Sequence, residues 1–186
     1  MGWLDALLGR SKPAPPNLDA LFALPSAAVT LQAATAFEPT GLGSVCFRSA
    51  EGGAFVTLEQ DIKALLGEVE IEQSQDSYGY TWLLVRRPAD DLSALVTDLH
   101  GVNSSLEGAG FGPSLLCSLV TFTDASGRSL AVVYLYKQGT FYPFAPLSGQ
   151  RRDNALELQV RGAISGELRV EPDLSRWFPL WGAPGL

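Results

Sequence analysis

Residues 115–147 read LLCSLVTFTDASGRSLAVVYLYKQGTFYPFAPL, and this stretch decides the fold. Three runs rich in β-branched and aromatic residues, Leu115 to Thr123, Leu130 to Lys137 and Thr140 to Leu147, are separated only by Asp124-Ala125-Ser126-Gly127 and Gln138-Gly139. Connections this short join antiparallel neighbours, because a parallel crossover needs a dozen residues or more. Pro143 has no amide to donate to a ladder, which puts the third strand at a sheet edge.

Working outward, Leu92, Leu95, Val96, Leu99, Val102 and Leu106 recur at helical spacing. Pro88 suits the first turn of this helix, Asp90 and Asp91 complement its positive end, and Gly108 and Gly110 stop it. Before it, Glu68 to Ser74 and Tyr78 to Arg86 form a hairpin about Asp76-Ser77, and Phe55 to Leu66 is a helix ended by Gly67. Earlier still, Leu18 to Leu24 reads as a short helix, and Val29 to Phe37 as a strand paired with Leu42 to Arg48 across Glu38-Pro39-Thr40-Gly41. After the three strands, Asp153 is an N-cap for a helix running to Ile164, followed by an aromatic tail punctuated by Pro172, Pro179 and Pro184. The order ββα-ββα-βββα predicts an α+β fold, a largely antiparallel sheet with helices packed mainly on one face.

Residues 18–186 are expected to make one domain. Residues 1–17 stand apart as an amphipathic helix, with Trp3, Leu4, Leu7 and Leu8 on one side, and a tether containing Pro13, Pro15 and Pro16. So short a helix is marginal alone and must dock on its own domain or on a partner.

A chain of 186 residues that is 46% hydrophobic and 18% charged can bury a sizeable core and does not have a disordered composition. Its net charge of −7 opposes binding to nucleic acid and to anionic lipid surfaces. No apolar run approaches the roughly 18 residues that span a bilayer and the N-terminus does not read as a signal sequence, so the expected address is the cytoplasm without direct membrane insertion. Cys46 and Cys117 lie in separate strand-like runs and read as two buried free thiols, a disulfide being allowed by count alone.

Catalytic chemistry finds no signature. There is no phosphate loop, nucleophile elbow, HExxH pair or calcium loop, so no catalytic, cofactor-binding or metal residues are assigned. His100, the single histidine, sits at the boundary of its helix with Ser104 one turn on, but Asp98 is wrongly spaced to orient it. Glu68, Glu70 and Glu72 make a charged strand face that discourages edge pairing. Asn103 falls on the apolar stripe and suggests a hydrogen bond to a strand backbone. Arg151 and Arg152 precede a helix, where they could bind an anion but more commonly pair with acids such as Asp153 or stay solvated. Tyr78, Tyr80 and Trp82 share a strand face, and Trp177, Phe178 and Trp181 crowd the tail; aromatics left uncovered would mark a partner surface.

Several strings, MGWLDALLGR, SYGYTWLLVR, DLHGVNSSLE, GFGPSLLCSL, YLYKQGTFYPFAP, QRRDNALELQVRG and EPDLSRWFPLWGAPGL, together resemble PspAB, a bacterial phage-shock-protein-A-associated family. The resemblance spans residues 1–186 and is weakest around Glu68 to Gln75. It implies association with PspA, the helical membrane-remodelling protein of the envelope stress response, and leaves room for contact with membrane proteases of that response. It implies no reaction and transfers no catalytic residue. The expectation is a non-catalytic adaptor or regulator, cytoplasmic and peripheral to the membrane through a partner. Its contact residues would be Trp3, Leu4, Leu7 and Leu8, with Trp177, Phe178 and Trp181. The alternatives are a secretion-chaperone-like homodimer that holds client segments, and an uncharacterised hydrolase or ligand-binding enzyme built on His100 and Arg151.

Overall fold

The computed structural model describes residues 17–48 and 52–186. The helix expected over Trp3 to Leu8, and its tether, lie outside these residues.

A six-stranded sheet organises the chain, built from β1 (Glu38–Arg48), β2 (Ile71–Gln75), β3 (Tyr80–Arg86), β4 (Leu115–Thr123), β5 (Ser129–Leu135) and β6 (Thr140–Phe144). The order across it is β2-β3-β1-β4-β5-β6, with every neighbouring pair antiparallel. A small ribbon pairs β7 (Pro146–Leu147) with β8 (Arg151–Arg152). Among the described residues the α-helices are α1 (Leu24–Thr35), α2 (Gly53–Leu66), α3 (Leu92–Leu106) and α4 (Asn154–Ile164). The fold is α+β, as the strand and helix order predicts.

Strand alternation divides the core in two. Val45, Phe47, Leu83, Val85, Val120, Phe122, Val132 and Tyr134 point to the helical side, where α3 packs along β1 and supplies Leu95, Val96, Leu99 and Val102. Their alternates Cys46, Trp82, Cys117, Leu119, Ala131 and Val133 point to the opposite side and are buried under the C-terminal tail. Pro143 sits in β6, an edge strand, as its missing amide requires. That edge is partly covered by a parallel bridge from Phe141 to Val170.

Local chemistry explains the boundaries. Asp91 accepts from the amide of Ala94 at 3.0 Å and Asp153 from that of Leu156 at 3.0 Å, so both are N-caps. A turn of π-helix at Glu107–Phe111, with Gly110 at φ 87°, ends α3. In the β4–β5 turn, hydrogen bonds from Ser126 and then Arg128 hold the Asp124 carboxyl down at about 2. The stability these bonds give the turn is present above the ordinary carboxylate pKa and is lost as the pH falls through that depressed value.

One expected element is wrong. Val29 to Phe37 is not a strand: a 3₁₀ turn at Leu18–Ala23 leads into α1, which carries the chain to Thr35. Pro25 lies in the first turn, and Ala27, Ala28, Ala33 and Ala34 are the strongest of helix formers. Leu21, Leu24, Ala28 and Leu31 face inward at helical spacing, while Val29 points into solvent. Ala36, at φ 61°, closes the helix through its amide bond to the Gln32 carbonyl. The expected turn at Glu38 to Gly41 is instead the beginning of β1, where a register shift between Pro39 and Gly43 absorbs the proline. The corrected order begins with a helix and a single strand.

The continuous helical stretch Leu18–Thr35 also corrects the hydropathy reading: it is long and apolar enough to cross a membrane by length and composition. In the fold it packs against α3 and α4 and buries Leu21, Leu24 and Leu31.

Gly41 ties β1 to the start of the α3 segment. It has φ 80°, its carbonyl accepts from the Arg87 amide at 2.9 Å, and a Cβ there would lie 2.1 Å from the Arg87 carbonyl oxygen. Gly41→Ala therefore combines a left-handed backbone with a backbone collision. It should lower unfolding free energy by at least about 2 kcal/mol, read as a fall in the denaturation midpoint at constant m-value.

Candidate functional site

The tail that follows α4 is fastened to the sheet by buried polar groups. Glu171, 1% exposed, accepts from the Thr140 hydroxyl at 2.6 Å and from the Asp173 amide at 3.0 Å, and its amide donates to the Phe141 carbonyl at 2.7 Å. The Trp177 indole donates to the Glu171 carbonyl at 3.0 Å, and its ring stacks on Tyr142 at 6.1 Å. Tyr142 in turn donates to the Phe178 carbonyl at 2.9 Å. Burial keeps the Tyr142 phenol well above its usual pKa, so it serves as a neutral donor.

Arg152 is the second fastening. Its Nε donates to Glu157 Oε1 at 2.8 Å, its Nη1 donates to the Trp177 carbonyl, and its guanidinium lies 5.1 Å over the Phe144 ring. Glu157 is buried and also accepts from the Ala145 amide at 2.9 Å. The guanidinium thus joins helix, sheet and tail, and the acid it selects is Glu157, one turn beyond the expected Asp153, whose carboxylate is occupied as a cap. Arg151 is exposed and donates to the Ser148 carbonyl at 3.1 Å.

Between the tail and the sheet lies a cavity of about 840 Å³. Cys46, Cys117, Trp82 and Tyr142 line it from the sheet, Phe178 and Trp181 from the tail, and Tyr78 and Arg176 are also among its lining residues. Asp76 orders one wall, accepting from the amides of Tyr78 and Tyr80 and, at 3.0 Å, from the Trp82 indole. The shared face expected for Tyr78, Tyr80 and Trp82 thus grades from solvent to core, Tyr78 being 83% exposed and Trp82 buried.

The other candidates lie elsewhere. On the helical side, His100 Nε2 is 2.9 Å from Asp19 Oδ1, its Nδ1 is 3.4 Å from Ser104 Oγ, and its ring meets Phe22 at 4.6 Å. The sequence reading left His100 without an orienting acid. Asp19 occupies that position, because the turn at Leu18–Ala23 packs against α3. Ser104 is nonetheless inside a helix whose own hydrogen bonds engage the neighbouring amides, so the oxyanion donors that acyl transfer requires are not presented. Asp98 is turned away into a bidentate pair with Arg87 at 2.6 and 3.0 Å. Asn103 donates to the Ser118 hydroxyl at 2.8 Å, a side chain rather than the expected backbone. Glu70 and Glu72 both reach Arg86 at 3.3 Å, so the acidic row is partly neutralised by its hairpin partner.

A model of the family described as PspAB, PspA associated protein B, matches residues 1–185. The chain belongs to the PspA associated protein B family. No curated protein and no solved structure matches it. Family membership directs attention to surfaces that could meet another protein.

Of the tail aromatics proposed for that purpose, Trp177 is buried, Trp181 packs edge-on against Phe144 at 5.0 Å, and Phe178 remains 54% exposed. Trp3, Leu4, Leu7 and Leu8 lie outside the described residues. Sequence reasoning missed Glu157 and Glu171 because a buried carboxylate has the same letter as a solvated one. It also missed that the two cysteines face each other, because β1 and β4 are distant in the chain.

These contacts separate a structural residue from a peripheral one. Trp177→Ala removes a buried ring and leaves the Glu171 carbonyl without its donor, and should cost about 3–5 kcal/mol, lowering Tm by several degrees in a thermal melt. His100→Ala loses a part-exposed hydrogen bond to Asp19 and one ring contact and should cost at most about 1 kcal/mol in the same assay.

Proposed function

We propose that this chain is a non-catalytic adaptor or regulator that acts by contact with PspA in the envelope stress response, working from the cytoplasm and reaching the membrane through that partner. The observation that carries the reading is the family match over residues 1–185, whose description is association with PspA. Two features of the chain support it. The polar groups with the most developed geometry, Arg152, Glu157 and Glu171, hold the tail to the sheet and to α4. Beside them, exposed Leu174, Phe178 and Tyr78 present apolar surface where the tail crosses the sheet.

The contact elements in this reading are the segment bearing Trp3, Leu4, Leu7 and Leu8, used as a helix laid into a partner's groove, and the exposed ring of Phe178. A net charge of −7 disfavours direct adsorption to anionic lipid, which leaves the protein partner as the route to the membrane.

Sedimentation with vesicles tests this. The purified full chain should co-sediment with anionic vesicles only when PspA is bound to them. Trp3→Ala combined with Leu7→Ala should weaken capture about tenfold or more, as loss of central apolar anchors does, while the melting curve is unchanged. Sedimentation with bare vesicles, or full capture of the double variant, would refute the proposed contact.

A further inference from the structure

Cys46 and Cys117 are direct cross-strand partners in the β1–β4 ladder. Directly opposed residues of antiparallel strands have Cα atoms about 4.5–5.5 Å apart, within the roughly 4.4–6.8 Å that a disulfide spans, and they project to the same side of the sheet. Here that side is the tail face, and both residues line the cavity beneath it. The pair is reduced, and both cysteines are buried at 3% and 6% exposure. A solute reaches them through the cavity rather than from bulk solvent.

We propose that Cys46 and Cys117 are a reversible dithiol–disulfide pair, oxidised by a low-molecular-weight disulfide that enters the cavity under the tail.

The adjoining Cys117 thiol, and then burial, push the Cys46 thiol well above its ordinary pKa. Cys117, the more exposed of the two at 6% against 3%, is the sulfur that an entering solute meets first and is the attacking one. It displaces one thiol from the small disulfide, RSSR, giving a Cys117–S–S–R mixed disulfide and RSH. Cys46 next attacks the Cys117 sulfur, breaking that bond and releasing the second RSH. The two cysteines lose two hydrogens and two electrons, the small disulfide gains them, and both protons finish on the released thiols. Burial and the retained proton make closure slow, since the thiolate is the reactive form.

The product would bolt together the two central strands. It closes a long loop of chain, which restricts the unfolded state and adds to stability. It also lies in the apolar cluster containing Trp82, Ala183 and the packed ring of Trp181, so the oxidation state is felt by the roof of the cavity.

The test treats the folded, full-length protein with hydroxyethyl disulfide, chosen as small and uncharged, and follows intact mass, peptide mapping and Tm. The expected product has lost two hydrogens, yields a peptide joining Cys46 to Cys117, melts higher by roughly 5 °C or more, and reverts with dithiothreitol. Cys46→Ala should stop at a stable mixed disulfide on Cys117. A stable mixed disulfide on the unsubstituted chain, cross-links between chains, or thiols that stay reduced while the circular dichroism stays native would each overturn the proposal. An unmodified Cys117 in the Cys46→Ala variant would overturn its role as the attacking sulfur.

Discussion

The central strands carry apolar side chains on both faces, and everything else in the structure answers that constraint. A sheet with one wet face alternates apolar and polar residues; β4 and β5 are instead buried almost without interruption. Such a sheet needs two covers. The α-helices supply one, with α3 lying along β1. The other cover is the tail after α4, which has no α-helix and satisfies only part of its own backbone, through a 3₁₀ turn at Leu174–Arg176 and a few further turns. Arg152 ties the Trp177 carbonyl to Glu157 of α4, the Glu171 amide donates to the Phe141 carbonyl of β6, and the Trp177 indole donates to the Glu171 carbonyl within the tail. Buried charge is expensive unless paired and hydrogen-bonded, and here the carboxylates of Glu157 and Glu171 meet both conditions.

Much of the fold was legible because periodicity and punctuation agreed over long stretches. In Leu92 to Leu106 the apolar spacing, the aspartate cap and the closing glycines all point to one helix. In residues 115–147 the short turns leave no pairing but antiparallel. At Val29 to Phe37 the β-branched Val29, Thr30 and Thr35 are outweighed by four alanines and a proline at the first turn of the helix. The tail was legible in composition but not in arrangement: three prolines and three large aromatics announce something stiff and apolar, whereas the specific stacking of Trp177 on Tyr142 depends on long-range placement. The same limit hid Asp19 beside His100, 81 positions away.

The site residues divide along the same line. Local patterns identify caps, turns and strand faces, because the physics that selects them acts within a few residues. Carboxylate–guanidinium pairs across elements and facing thiols across non-sequential strands come only with the assembled sheet. The family's description is association with PspA. In this chain the buried bonds of Arg152, Glu157 and Glu171 hold an irregular C-terminal segment in one fixed shape.

The helical stretch Leu18–Thr35 has a further consequence for how the chain is made. It is the first strongly apolar segment of the described chain to leave the ribosome, yet α4, one of the helices it packs against, begins at Asn154. That is about 120 residues later, and at roughly 5–20 residues per second the delay is on the order of ten seconds. Throughout that interval a stretch long and apolar enough by length and composition to cross a membrane can pack against α3 but not yet against α4. The nascent chain therefore carries this segment only part-covered until α4 has been made.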